Sequence, residues 1–269
     1  MNASHQTVLE PTGRMENGFA APYDFSISEV FGEAWSKVKG FKTSVWGAVG
    51  WYFLIVFLLG ILMSVVGSLF GVPATDGSAP NAMTIVLRVI VQILLYPMSA
   101  GIMMMGIKRA VNLPVRAKLV FRYYSAIWRI LGVMLLSLAI AMIPSMIGGF
   151  IIGIMAATDY SLIVNIMLVV VGLAFILGGI YLAWSYLFVL QLTTEKRLGV
   201  WRSLQVSRKA ICQHWWKVFF TTMIMFVIYI LSVVFLLVGL IWSIPWLIAT
   251  QGVLYRRIFG VEADLATNE

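Results

Sequence analysis

This sequence predicts an all-α fold: a polytopic transmembrane helix bundle of about six spans with amphipathic interfacial helices. Three observations predict it. Hydrophobic residues make up 61% of the 269 and charged residues only 11%, whereas a soluble domain carries roughly 45–50% and about 25%. A chain this apolar has too little polar surface to hydrate, so the bilayer is its natural solvent. The apolar residues also gather into runs long enough to cross a membrane. Finally, of the 19 Lys and Arg residues, only Arg88 falls on the wrong side of those runs. Positive charge is retained on the cytoplasmic side during insertion, so both termini are expected inside.

Taken in order, residues 1–22 are polar, mixed in charge and without a signal-peptide core, which predicts a disordered cytoplasmic tail. A transmembrane domain is expected over 23–260, and residues 261–269 form a second cytoplasmic tail. The domain opens on an amphipathic helix. Ser26 and Glu29 have capping-box spacing, and Ile27, Val30, Phe31, Ala34, Trp35 and Val38 repeat along one face. Glu33 and Lys37 have the spacing of a favourable i,i+4 pair, and Gly40 ends the helix. Such a helix either lies in the membrane interface or packs on the protein's own spans.

Spans are expected at about 45–70, 83–107, 130–155, 162–192, 218–237 and 240–255. The fourth is long enough to tilt or to project inward. The division between the last two is placed near Gly239, because 218–255 is too long for one crossing. Loops carrying Asp76 and Asp159, and no Lys or Arg, face outward. Basic stops at Lys108-Arg109, Lys196-Arg197 and Arg256-Arg257 face inward. Amphipathic, aromatic-rich segments at Ser26–Lys39, Val115–Trp128 and Val200–Lys217 each precede a hairpin of spans. This threefold helix–hairpin recurrence is either an internal duplication or the rule that every inward end needs cations. From these segments Phe31, Trp35, Trp128, Trp201, Trp215 and Trp216 are the expected membrane-interface residues.

The net charge of +8 sits beside hydrophobic spans, so it reads as a topology signal facing anionic headgroups; nucleic acid is not an expected partner. Cys212 is the only cysteine, and His5 and His214 are the only histidines. That leaves no intrachain disulfide and no zinc site of the usual four ligands. No cofactor is expected. Met103-Met104-Met105 reads as apolar gap-filling, in preference to a soft-metal path.

Arg88 is the one charge within a span, and intramembrane charges are costly enough to be functional candidates. Gln92 follows one turn later on the same face, with Tyr96 and Pro97 beyond. Arg88 and Gln92 therefore form a candidate polar intramembrane site. The competing reading is that Arg88, about five residues from the outer end of its span, snorkels to the headgroups. Pro97, Pro144 and Pro245 predict kinks within spans. The small-residue pairs Gly67/Gly71, Gly149/Gly153, Ala174/Gly178 and Gly179/Ala183 predict close helix contacts, first within the bundle and otherwise between copies. There is no H-E-x-x-H and no paired intramembrane carboxylate, so no catalytic residues are expected.

Several of these segments resemble a known family. Phe25-Ser-Ile-Ser-Glu-Val-Phe-Gly-Glu-Ala-Trp35 resembles the opening of the YciC-like bacterial integral membrane proteins. Gly199-Val-Trp-Arg-Ser-Leu-Gln-Val-Ser207, then His214-Trp215-Trp216, and the ending Pro245-Trp-Leu-Ile-Ala-Thr-Gln-Gly-Val-Leu-Tyr-Arg256 are similar to it too. The layout is also similar to the membrane domain that accompanies some glycerophosphodiester phosphodiesterases. The resemblance spans about Phe25 to Gly260. It implies an inner-membrane protein of about six spans without established catalytic residues, and the hydrolase barrel of those phosphodiesterases has no counterpart here. The resulting expectation is a non-enzymatic protein of the bacterial cytoplasmic membrane. It would support envelope or lipid organisation, or act as a membrane-protein partner, with membrane lipids, another membrane protein or itself as partners. The alternative is a transporter or permease for a small or lipidic solute.

Overall fold

Long apolar helices dominate the computed structural model, which describes residues 13–69, 82–158, 161–234 and 238–262. Asp76 and Asp159, expected in outward-facing loops, Gly71, and most of both tails lie outside the described residues. Among the described residues, five helical stretches are long and apolar enough to cross a membrane: 42–69, 85–110, 117–155, 162–195 and 215–234. The chain is a multi-pass membrane protein. It divides into two compact units, residues 1–123 with 220–269, and residues 124–219.

In the first unit the order is β1 (Met15–Glu16), β2 (Phe19–Ala20), α1 (Ile27–Val38), α2 (Lys42–Leu69) and α3 (Ala82–Ala110). The 3₁₀ segment Ala117–Ala126 begins here too, and the unit is completed by most of α8 (Trp215–Val234) and by α9 (Leu240–Phe259). Residues 13–22, expected to be disordered, instead form a small hairpin. Met15 pairs with Ala20 and Glu16 with Phe19, across a turn in which Asn17 and Gly18 both have positive φ. Asn-Gly is the favoured pair for such a turn. The strands are too short to leave a periodic signal, so the sequence pattern hides them. The hairpin is tied down by the Gly13 N–H, which donates to the Arg256 carbonyl at 2.9 Å.

α2 shows the lipid-facing character most plainly. Its 28 residues extend about 42 Å at 1.5 Å per residue, more than the ~30 Å of hydrocarbon. Phe53, Phe57, Leu58 and Leu62 point outward, exposed. Hydrocarbon solvates such a surface; in water it would be an aggregation liability.

α9 is the opposite. Pro245, Trp246, Ala249, Thr250, Gly252 and Val253 are all buried, and α9 packs against α3, α1 and α2. It was expected as the sixth span, yet it is not among the five stretches apolar enough to cross on composition. Polar positions such as Ser243, Thr250 and Gln251 dilute its apolarity, which a helix covered by protein tolerates and a lipid-facing one does not. α9 meets α3 at bare backbone: a Cβ on Gly252 would overlap the Gly106 carbonyl, and one on Gly106 would overlap that of Ile248. Met104 and Met105 fill the same core.

The second unit contains α4 (Ile127–Ala157), α5 (Leu162–Ser185), α6 (Val189–Glu195), α7 (Val200–Gln213) and the first turn of α8. α4 and α5 form an antiparallel hairpin in contact along its length. Its close points are Gly148 against Gly172, and Gly179 against Ala141 and Ser145, whereas Gly149, Gly153 and Gly178 face open space. Of the small-residue pairs predicted for this hairpin, only the Gly179 position sits at the contact. Helix phase explains the miss: Gly148, one residue before Gly149, is turned about 100° from it. The long fourth span is broken at Tyr186–Phe188 into α5 and α6. α3, α4 and α9 each continue through their proline.

Candidate membrane-interface and intramembrane sites

In the first unit, α1 buries Val30, Ala34 and Val38 against α9 and α3. Phe31 is half-buried and packs against Trp246 in a tilted arrangement, 5.1 Å between ring centroids. The Trp246 Nε1–H donates to the Phe31 carbonyl at 3.3 Å. Trp35, assigned to the apolar stripe from spacing, is instead 60% exposed. It lies beyond the edge of the stripe defined by Val30, Ala34 and Val38.

Two expected local contacts of α1 are replaced. Ser26 stands at the N-cap without a side-chain cap bond, because its hydroxyl pairs with that of Ser28 at 2.8 Å. Glu33 does not serve Lys37, which donates to Asn112 Oδ1 at 2.7 Å. It accepts from Arg256 at 2.5 Å and from Arg257 at 3.0 Å. Arg257 also reaches Glu29 at 3.0 Å, and Arg256 donates to the Ala110 carbonyl at 2.9 Å. Arg109 donates to the backbone carbonyls of Lys37 and Lys39. The basic ends of α3 and α9 are thus bolted to α1. Forked guanidinium donors suit this multi-acceptor role. Sequence reasoning missed the network, since its ion-pair partners are more than 220 residues apart. The signal was two carboxylates a turn apart on α1, with a paired-arginine stop elsewhere.

Arg88 and Gln92 are both exposed in the N-terminal half of α3. Gln92 hydrogen-bonds Tyr96, one turn on. Arg88 has no ion-pair partner among the described residues. The two side chains lie on a helix surface rather than on the wall of a buried chamber.

The second unit carries the polar cluster that the sequence left unread. Where α5 ends, its last carbonyls need new partners, and Ser207 of α7 donates to the Ser185 carbonyl at 2.9 Å. α6 is short and buried at every residue but Leu190, including Gln191, Thr193, Thr194 and Glu195. The Thr193 hydroxyl lies 2.8 Å from the Val189 carbonyl and from the Ser203 hydroxyl, and Ser203 donates to Gly199. Glu195 pairs with Lys196 at 3.3 Å. Gln191 Oε1 is buried and has no hydrogen-bond partner among the described residues. An apolar core of Val133, Val189 and Leu204 holds α4, α6 and α7 together around this cluster.

Trp128, Trp201 and Trp216 are all exposed, Trp128 at 83%. Trp215 instead joins an aromatic cluster, stacked on Phe219 at 5.0 Å and on Tyr181 at 5.7 Å. Tyr181 also lies 2.8 Å from the Cys212 thiol. No group of three or more His, Cys, Asp or Glu able to hold a metal occurs among the described residues.

Comparisons with protein-family models, curated proteins and solved structures find no match. The functional reading therefore rests on the chain's own geometry.

Proposed function

We propose that this is a non-enzymatic integral protein of the bacterial cytoplasmic membrane, supporting envelope or lipid organisation or acting as a membrane-protein partner. In this reading it has about six spans, both termini cytoplasmic, and a YciC-like layout. The observation that carries it is the pairing of long lipid-facing helices with short amphipathic ones at their basic ends. α1 and α7 bury their apolar faces on the chain itself and leave Trp35 and Trp201 exposed. Amphipathic indoles favour the headgroup level. A deletion strain tests the reading. Altered lipid content or an envelope-stress response is the expected result, along with lipid retained by the purified protein or a membrane partner captured by crosslinking. Absence of all of these would sink it.

The second reading, a transporter or permease, is favoured by the break at Tyr186–Phe188 followed by buried, polar α6. Interrupted helices with polar side chains at the break are how many transporters build a binding site. Solute uptake into vesicles that is lost in Gln191→Leu, at normal protein abundance, would select it.

A further inference from the structure

We propose that Arg88 binds the phosphate of a membrane phospholipid, in the leaflet opposite the basic end of α3. The proposal rests on the membrane-protein reading above and gives it one lipid contact of stated chemistry.

Topology does not explain this cation. α3 ends on Lys108 and Arg109, and Lys108 is twenty residues beyond Arg88. Twenty residues of helix rise about 30 Å, which is the thickness of the hydrocarbon core. Arg88 and the basic end of α3 therefore belong to opposite leaflets, whichever of them faces the cytoplasm. Retention of Lys and Arg favours one end of a span only, so Arg88 works against the signal that Lys108 and Arg109 provide.

Packing gives no better reason. The guanidinium has neither an ion-pair nor a hydrogen-bond partner among the described residues. α3 buries no described residue before Leu95, and Ile85, Val86, Val89 and Ile90 around Arg88 are all exposed. Gln92, one turn deeper on the same face, hydrogen-bonds Tyr96 instead. A bare guanidinium on a lipid-facing surface is costly, and an anion from outside the chain relieves that cost.

Depth selects the anion. Arg88 lies six residues into α3 from Ala82, about 9 Å, and its long side chain carries the charge back to the headgroups. The phosphodiester of every phospholipid sits at that level. Its oxygens accept charge-assisted hydrogen bonds from the guanidinium fork. A carboxylate from a second protein would have to enter the bilayer at its own desolvation cost. Snorkelling into water alone needs no phosphate, and that difference is measurable.

The test places the full chain in vesicles of digalactosyl diacylglycerol, an uncharged lipid without phosphate. A trace of photoreactive phosphatidylglycerol, or of the galactolipid carrying the same headgroup diazirine, is crosslinked to it. Adducts on residues 82–92 are then counted by mass spectrometry. Wild type should favour the phosphatidylglycerol probe about tenfold or more, as expected for a charge-assisted hydrogen bond. R88Q removes an intramembrane charge, so it should insert at least as well as wild type and bring the probe ratio within about twofold of unity. R88K should stay within about threefold of wild type, because lysine carries its charge to the same level. K118Q, which removes an exposed cation elsewhere, should leave the ratio unchanged. So should D76N, which removes the carboxylate nearest to Arg88 in sequence. Equal yields of the two probes in wild type, a ratio indifferent to R88Q, or an equal fall in K118Q would overturn the proposal. A wild-type ratio near unity that rises in D76N would assign the anion to Asp76, and a ratio abolished by excess inorganic phosphate would assign the site to the free ion; either result also overturns it. Failure here leaves the wider function standing, since its deletion-strain and partner tests do not involve Arg88, and a silent deletion strain does not alter this ratio.

Discussion

Replacing Glu33 by alanine removes the carboxylate shared by both arginines of α9. Arg256 is 97% buried by side chain, and Glu33 is 13% exposed. Deleting one partner of a buried ion pair costs about 3–5 kcal/mol, because the remaining charge is stranded. Arg256 keeps its bond to the Ala110 carbonyl, so the low end, about 3 kcal/mol, is expected. That is roughly a 150-fold change in the folded-to-unfolded ratio. Glu29 provides the internal control. It contacts Arg257 at the same 3.0 Å as Glu33 does, but its side chain is 63% exposed, and exposed pairs contribute about 0.2–1 kcal/mol. Unfolding in mixed detergent micelles, followed by tryptophan fluorescence, should show Glu33→Ala well below wild type and Glu29→Ala nearly superposed on it. Replacing both members, as in Glu33→Leu with Arg256→Met, should recover most of the loss, since apolar side chains of similar volume often match a buried pair. Equal effects of the two alanine variants would refute the claim that burial decides the contribution of this network.

Three further outcomes follow from the geometry. Gly252→Ala drives a methyl into the Gly106 carbonyl and should destabilise by about 1–3 kcal/mol or more, while Gly149→Ala faces open space and should be silent in the same unfolding assay. Ser207→Ala leaves the Ser185 carbonyl without its donor at the α5–α6 break and should cost about 1–3 kcal/mol, read as a lower midpoint. Arg88→Lys should leave both abundance and any deletion phenotype unchanged, because a lysine stem also reaches the headgroups; impaired function at normal abundance would show that the guanidinium fork itself is needed.

Composition and period made the helical, membrane-spanning character legible, and the stripe Val30–Ala34–Val38 was readable from spacing alone. What escaped were choices between local and distant partners. Glu33 has a suitable lysine four residues away, yet two arginines at the far end of the chain hold it, and no local rule ranks those options. The break at Tyr186–Phe188 is hidden because Tyr, Leu and Phe read as continuous hydrocarbon. Its marker is the polar run Gln191, Thr193, Thr194, Glu195 that follows. At the helix contacts, Gly106, Gly148, Gly172 and Gly252 lie outside the small-residue pairs picked from spacing and Gly179 lies within them, since a spacing motif gives a face but not its phase against a neighbour. Spacing groups Trp35 with the apolar stripe, while its phase puts it outside the buried Val30–Ala34–Val38 face and leaves it exposed.

In the proposed topology the basic ends of this multi-pass chain all lie in the cytoplasm, and reporter fusions measure that directly. Alkaline phosphatase fused at residue 78 should be active and a fluorescent protein there dark, whereas fusions at 118 and 205 should give the reverse. External signals at 118 and 205 would contradict the account, because the basic amphipathic segments would then face away from the side that retains positive charge.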